Sequence, residues 1–206
     1  MSKIIIAGCG PGSLEYVTPA VRQAVEKAQV LVGASRLLEL FPQATAERIV
    51  VKSDIPGALE RVEQRLATGQ IVILVTGDPG LCSLARPVIE RFGRENCRVI
   101  PGVSSIQAAF ASIAVDWLGA RILSAHDRIP EVAPSALIKE EKLAVLSGNP
   151  ATVSWVEELG RTLAASHDIY LCENLTLPDE SVRRVTELQT MKSKSIILFI
   201  RREAQS

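Results

Sequence analysis

Apolar positions along the chain follow two rhythms. Short unbroken runs such as Ile4-Ile5-Ile6 and Ile71-Val72-Ile73-Leu74-Val75 are too brief for helices and read as strands buried on both faces. Between them lie longer segments with helical spacing, as in Leu59, Val62 and Leu66 at i, i+3 and i+7. The pattern predicts strands over residues 3–7, 29–32, 48–51, 70–75 and 97–100. Helices are predicted over 18–28, 35–40, 55–68, 81–92 and 104–114. Thr18 and Pro19 suit the N-cap and first turn of one helix, and Gly69 the C-cap of another. Strict alternation of strand and helix predicts a mainly parallel sheet.

Beyond residue 115 the rhythm changes. Strands are predicted over 121–124, 142–146, 169–172, 182–188 and 195–200, with one helix over 151–164. The last two strands have no helix between them, so they are expected to pair antiparallel. The expected fold class is α/β, with two α/β domains: residues 1–117 around a mainly parallel sheet, and residues 118–206 around a mixed sheet.

The chain has 206 residues, enough for two small domains. It is 47% hydrophobic but only 4% aromatic, the balance of aliphatic strands covered by helices. Lys plus Arg equals Asp plus Glu at 23 each, so no global field draws the chain to nucleic acid or to a membrane surface. An anionic ligand must be met by local cations. Cys9, Cys82, Cys97 and Cys172 are dispersed, with no C-x-x-C, so neither zinc site nor disulfide framework is expected. Unpaired cysteines and a start without a leader-like segment point to the cytoplasm. No apolar run nears the roughly 18 residues of a membrane span.

Candidate chemistry clusters where strands end. Gly8-Cys9-Gly10-Pro11-Gly12 follows the first strand, Thr76-Gly77-Asp78-Pro79-Gly80 the fourth, and Pro101-Gly102-Val103-Ser104-Ser105 the fifth. Ligands of open α/β sheets bind outside the carboxyl ends of strands, and small residues let backbone approach them. A dinucleotide site is excluded. The third glycine of G-x-G-x-x-G is Ser13, Pro11 removes an amide, and Val32-Gly33-Ala34 offers no acid to a ribose. There is no P-loop lysine either. Asp78 is compatible with a catalytic role or with accepting hydrogen bonds from its own loop. Ser104 and Ser105 suit a ligand or a plain helix cap. In the second half, Ser147-Gly148-Asn149-Pro150 joins strand to helix, and Cys172-Glu173-Asn174-Leu175-Thr176 leads to Pro178-Asp179-Glu180. His126 and Arg128 sit in a polar loop near the junction of the halves.

This ordered set of motifs resembles the tetrapyrrole (corrin/porphyrin) methylase family over nearly the whole chain. The motifs are Gly8-x-Gly10-Pro11-Gly12, Gly77-Asp78-Pro79, Pro101-Gly102-Val103-Ser104-Ser105 and Glu173-Asn174-Leu175-Thr176. The short length, Ser124-Ala125-His126-x-Arg128 and Asn174-Leu175-Thr176-x-Pro178-Asp179-Glu180 are similar to the branch that methylates C5 of precorrin-7 or cobalt-precorrin-7 in cobalamin biosynthesis. The resemblance implies two α/β domains with S-adenosylmethionine in the cleft between them, held largely by backbone. The implied cofactor contacts are Pro11, Gly77, Asp78, Leu81, Ser104, Ser105 and Ile106 from the first half, and Ser147, Gly148 and Leu175 from the second.

The implied reaction is methyl transfer to a ring carbon, where alignment carries most of the rate. Asp78, His126 and Glu173 are unranked candidates for accepting the departing proton. Arg128, with Arg36 and Lys52 behind it, is the candidate for the carboxylates of the tetrapyrrole substrate. No metal ligand set is expected. A homodimer is expected, without nucleic-acid or membrane partners, in a free-standing form whose C15-methylating decarboxylase is a separate chain. The alternatives are a relative acting on another precorrin carbon, on ribosomal RNA or on diphthamide, and a non-catalytic tetrapyrrole- or nucleotide-binding module. Zero net charge weighs against RNA.

Overall fold

The computed structural model describes residues 4–188 and 195–202. By its contacts the chain divides into two compact units, residues 1–104 and 105–206. The expected start of the first strand at residue 3 lies outside the described residues.

The first unit is built on β1 (Ile4–Gly8), β2 (Val30–Gly33), β3 (Glu47–Val50), β4 (Ile71–Val75) and β5 (Cys97–Ile100). All pairs are parallel, in the order β3-β2-β4-β1-β5. The three inner strands, β1, β2 and β4, are buried along their whole length, and the unbroken apolar runs of β1 and β4 show it most plainly. Their side chains alternate between two cores. Ile5, Ala7, Val72 and Leu74 face α1 (Pro19–Glu26) and α2 (Ser35–Leu38) through Val21, Val25, Leu37 and Leu38. Ile4, Ile6, Ile71 and Ile73 face α3 (Ile55–Glu63) and α4 (Ala85–Phe92) through Leu59, Val62, Ala85 and Val88.

This division sets where the strand-end loops of the first sheet diverge. The chain leaves β1 over one face of the sheet and leaves β4 over the other, because the strand order reverses direction while crossovers keep one hand. The carboxyl ends of neighbouring β1 and β4 are therefore the topological switch point, where open sheets present a crevice.

Thr18 caps α1 as expected, its hydroxyl accepting from the Val21 amide at 3.3 Å. All six helices are shorter than predicted, and α3 and α4 lose the most. α3 ends at Glu63 and leaves residues 64–68 as turns, so Gly69 caps no helix. α4 begins at Ala85 rather than residue 81, because Cys82 adopts a left-handed φ of 45° and the Ser83 hydroxyl accepts from the Ala85 amide.

The second unit contains α5 (Ser105–Ser112), β6 (Arg121–Ala125), β7 (Lys142–Ser147), α6 (Val153–Leu163), β8 (His167–Glu173), β9 (Ser181–Val185) and β10 (Ser195–Arg201). Its sheet runs β6-β7-β10-β8-β9, with β6 and β7 parallel and the other pairs antiparallel. The mixed sheet is as expected, but the expected pairing of the last two strands is corrected. β9 pairs with β8, while β10 inserts between β7 and β8. Burial explains the exchange. β10 reads Ser-Ile-Ile-Leu-Phe-Ile-Arg and is buried over its first five residues, so it needs a neighbour on each side. β9 carries Arg183 and Arg184 and suits an edge.

Ile197 and Phe199 face α6 through Trp155, Val156, Leu159 and Leu163. Ile196, Leu198 and Ala144 occupy the other face, and α5 packs against β10. That packing places α5 with the second unit, so the division falls ahead of the expected 117/118 boundary. Trp155 is buried and donates its ring N–H to the Val132 carbonyl, whereas Trp117 is half exposed. His167, 2% exposed, is a structural histidine between the Ser166 hydroxyl and the Glu140 carbonyl, each at 2.8 Å. The carbonyl can only accept, so Nε2 carries the proton.

Candidate functional site

In the first unit the site is built from what happens just past the strand ends. After β4 the chain reverses at Gly77, whose φ of 65° lies in the left-handed region that a residue with a Cβ rarely takes. The reversal lets two loops pair across the switch point. The Gly77 amide donates to the Gly10 carbonyl at 2.7 Å, and the Gly10 amide returns a bond to Gly77 at 3.3 Å. Gly8 and Gly102 complete a backbone stack. A Cβ on Gly8 would lie 2.7 Å from the Gly77 carbonyl, and one on Gly102 would lie 2.5 Å from it. These two glycines serve the contact of backbone with backbone.

Asp78 ties the same loops together. One carboxylate oxygen accepts from the Gly80 amide at 2.7 Å and the other from the Gly102 amide at 3.1 Å. The first bond closes a local turn, and the second reaches 24 residues ahead to the loop after β5. With both oxygens engaged, Asp78 is placed to position backbone. Arg36, in α2, donates to the Thr76 hydroxyl and so holds a guanidinium beside this loop. Cys9 is buried under it, and burial pushes its thiol up to about 12 against the opposing pull of Arg36. Lys52 is exposed just past β3, two strand positions from β4. Pro11 and Leu81 are half-buried in the strand-end loops, and Ser104 is buried. Ser105 and Ile106 open α5, where the Ile106 side chain is 1% exposed and committed to the interior.

The second unit gathers its candidates at one sheet edge. β6 and β7 are parallel, and β10 runs antiparallel to both β7 and β8, so β6, β7 and β8 all end on the same side. Ala125 pairs with Ser147 in register, and Ser195 pairs with Glu173. The loops bearing His126 and Arg128, Ser147 and Gly148, and Leu175 therefore leave from one edge. Asn149 fastens two of them. Its Oδ1 accepts from the Ala151 amide at 2.9 Å while its amide group donates to the Asp127 carbonyl at 3.1 Å. The fully buried Thr152 hydroxyl lies 2.7 Å from the Ala125 carbonyl and adds a second tie. Among the described residues only the backbone of half-buried His126 is engaged, weakly, by Ser124 Oγ at 3.5 Å. The Arg128 side chain is 82% exposed, with Glu131 at 3.7 Å. Such an exposed pair contributes little.

Glu173 ends β8 with its side chain only 13% exposed and accepts from Arg183 on β9 at 2.7 Å. The loop that follows holds two left-handed residues that are not glycine, Asn174 at φ 51° and Thr176 at 69°. Asn tolerates this conformation, but a β-branched Thr there costs about 1–3 kcal/mol and persists only when its surroundings impose it. The Asn174 side chain donates to Asp179 at 2.7 Å, and the Thr176 amide donates to the Glu180 carboxylate. Leu175, between the two, is 6% exposed. Cys172 lies buried nearby, its thiol pushed up to about 12 by burial, with the Glu180 charge adding to the rise.

Sequence reasoning found the loops but missed the partners: Gly102 for Asp78, Thr76 for Arg36, Arg183 for Glu173, and Asp179 and Glu180 for Asn174 and Thr176. A signal was available in the last case, since Asp179 and Glu180 stand in the motif itself.

A family model described as tetrapyrrole (corrin/porphyrin) methylases matches residues 3–191. The chain is 30% identical over 183 residues to the cobalt-precorrin-7 C(5)-methyltransferase of Salmonella typhimurium, covering 87% of this chain and 88% of the relative. It is 30% identical over 174 residues to a probable cobalt-precorrin-7 C(5)-methyltransferase of Methanocaldococcus jannaschii, covering 75% of this chain and 82% of the relative. Among solved structures, a precorrin-6Y methylase from Archaeoglobus fulgidus superposes with a TM-score of 0.75 at 24% identity, over 99% of this chain and 100% of that one. A uroporphyrin-III C-methyltransferase from Thermus thermophilus, complexed with S-adenosylhomocysteine, gives a TM-score of 0.76 at 20% identity, over 96% of this chain and 92% of that one. With the family model matched over residues 3–191 and a 30% identical relative covered over most of its length, the chain belongs to the tetrapyrrole (corrin/porphyrin) methylases.

Proposed function

We propose that this protein transfers the methyl group of S-adenosylmethionine to C5 of precorrin-7 or cobalt-precorrin-7 in cobalamin biosynthesis. The observation that carries this function is the 30% identity to the Salmonella cobalt-precorrin-7 C(5)-methyltransferase over nearly the full length of both chains.

The residues present fit the cofactor chemically. The carboxyl edge of the first sheet is lined by backbone of Gly, Pro and Ser residues. It lacks the acid after β2 that a dinucleotide ribose requires. When bound, S-adenosylmethionine supplies a methyl group already attached to a good leaving group. The chain's own task is then to hold and align. Pro11, Gly77, Leu81, Ser104, Ser105 and Ile106, with Ser147, Gly148 and Leu175, are the proposed contacts, and Asp78 keeps the loops after β4 and β5 in register. Of the candidate proton acceptors, Asp78 is engaged by two amides and Glu173 by Arg183. His126 is left as the group best placed to take a proton. Arg128 and Arg36, with Lys52 further out, are proposed to meet substrate carboxylates. The protein is further proposed to act in the cytoplasm as a homodimer, with a decarboxylating C15-methylase as its partner activity.

The test is incubation with isotopically labelled S-adenosylmethionine and the precorrin-7 pool, in metal-free and cobalt forms, with mass spectrometry of the product. Gain of one labelled methyl at C5 is expected. His126→Ala is expected to bind S-adenosylhomocysteine normally while losing turnover. Methylation at another carbon, or cofactor binding with no transfer to either form, would overturn the assignment.

A further inference from the structure

In the segment after β8, two acidic residues bond to two residues of left-handed conformation. Asn174 and Thr176 both have positive φ, and neither is glycine. Each is bound by an acid further along the motif: the Asn174 side chain by Asp179 at 2.7 Å, and the Thr176 backbone amide by Glu180. Two consecutive turns fill the interval, with the Leu177 amide on the Asn174 carbonyl at 2.9 Å and the Glu180 amide on the Leu177 carbonyl at 3.0 Å. The outcome is that Leu175 is held inward at 6% exposure while its neighbour Leu177 is 38% exposed. Asp179 and Glu180 are themselves exposed and add nothing to the core. Such residues stabilise the fold little, so their bonds point to shape at the site edge.

We propose that Asp179 and Glu180 are positioning residues for the cofactor, acting through the backbone of Asn174, Leu175 and Thr176; this rests on the S-adenosylmethionine reading given above. The acids touch no ligand. They hold two left-handed residues so that Leu175 and its flanking peptide groups present one fixed surface. Glu180 opposes the strain at Thr176, the costlier of the two.

The discriminating experiment uses the relief of that strain. Glu180→Ala is expected to weaken S-adenosylhomocysteine binding in calorimetry by about tenfold, the size of one left-handed β-branched residue released from its restraint. The KM for S-adenosylmethionine should rise by a similar factor with kcat largely retained. Thr176→Gly makes the left-handed conformation cheap, so adding Glu180→Ala to Thr176→Gly should cost roughly threefold or less. Asp179→Asn and Glu180→Gln, which keep an acceptor in place, serve as milder variants and should fall between. An equal Glu180→Ala effect with Thr or Gly at 176 would overturn the positioning role. So would unchanged binding in Glu180→Ala, or a lowered melting temperature with affinity intact. Failure of the unsubstituted protein to bind S-adenosylhomocysteine would instead overturn the cofactor assignment itself.

Discussion

At the residue scale, the site depends on a few side chains whose partners lie in other loops. At Asp78 one carboxylate oxygen accepts from the Gly80 amide and the other from the Gly102 amide, so one side chain ties two strand-end loops together. Arg128 shows the reverse. It is highly exposed and paired only loosely with Glu131, so its guanidinium is available to a ligand at small cost to the fold. Arg128→Ala is expected to leave S-adenosylhomocysteine affinity and melting temperature nearly unchanged and to weaken tetrapyrrole binding roughly ten- to hundredfold, the loss of one charged hydrogen bond. Arg128→Lys should restore it only in part, because a point charge replaces a fork. Melting and titration on the same variant check both halves, and a stability loss alone would refute the substrate role.

At the element scale, the proposed contacts lie at strand ends rather than within strands. β1, β4 and β5 are brought to one edge by parallel pairing, and the stack of Gly8, Gly77 and Gly102 lets their loops touch by backbone. Gly102→Ala tests the closeness of that contact. Its Cβ would lie 2.5 Å from the Gly77 carbonyl and 2.6 Å from the Gly8 carbonyl, both unyielding backbone atoms. The two loops must then separate, disturbing the Asp78–Gly102 bond as well. A destabilisation of about 1–3 kcal/mol is expected from overpacking, measured by urea unfolding, with a parallel loss of cofactor affinity. Normal stability and affinity in Gly102→Ala would mean that the stack is looser than its geometry implies.

At the scale of the whole molecule, each unit buries its central strands and releases its candidate loops from one edge. Each unit also buries one thiol below that edge, Cys9 in the first and Cys172 in the second. Burial raises both from 9.0 to about 12. The folded state therefore holds these protons more tightly than the unfolded chain. The resulting stability is complete below the unfolded value and is lost as pH rises from 9.0 towards about 12. At neutral pH, alkylation followed by peptide mass spectrometry should label exposed Cys82 in the native protein, and Cys9 and Cys172 only as their units unfold. Rapid native labelling of Cys9 or Cys172 would show that its cover opens without unfolding.

The sequence by itself determined the two-domain α/β class, the parallel first sheet and the family, and it pointed to the strand-end loops proposed as the site. These follow from local signals: unbroken apolar runs, helical spacing, and Gly-Pro or Asp-Pro turns after strands. Tertiary structure alone decided which strands and side chains meet. β10 lies between β7 and β8 instead of beside β9, because a strand buried on both faces gains most in the middle of a sheet. α5 joins the second unit because the partner for its apolar side, β10, comes some ninety residues later. Asp78 is satisfied by an amide 24 residues away, and Glu173 by a guanidinium on the next strand. Such partners are set by strand register and loop closure, which no local pattern encodes. The Asn174–Glu180 segment lies between the two cases: its residues are adjacent in sequence, yet only their backbone angles reveal that the acids hold two left-handed residues in place.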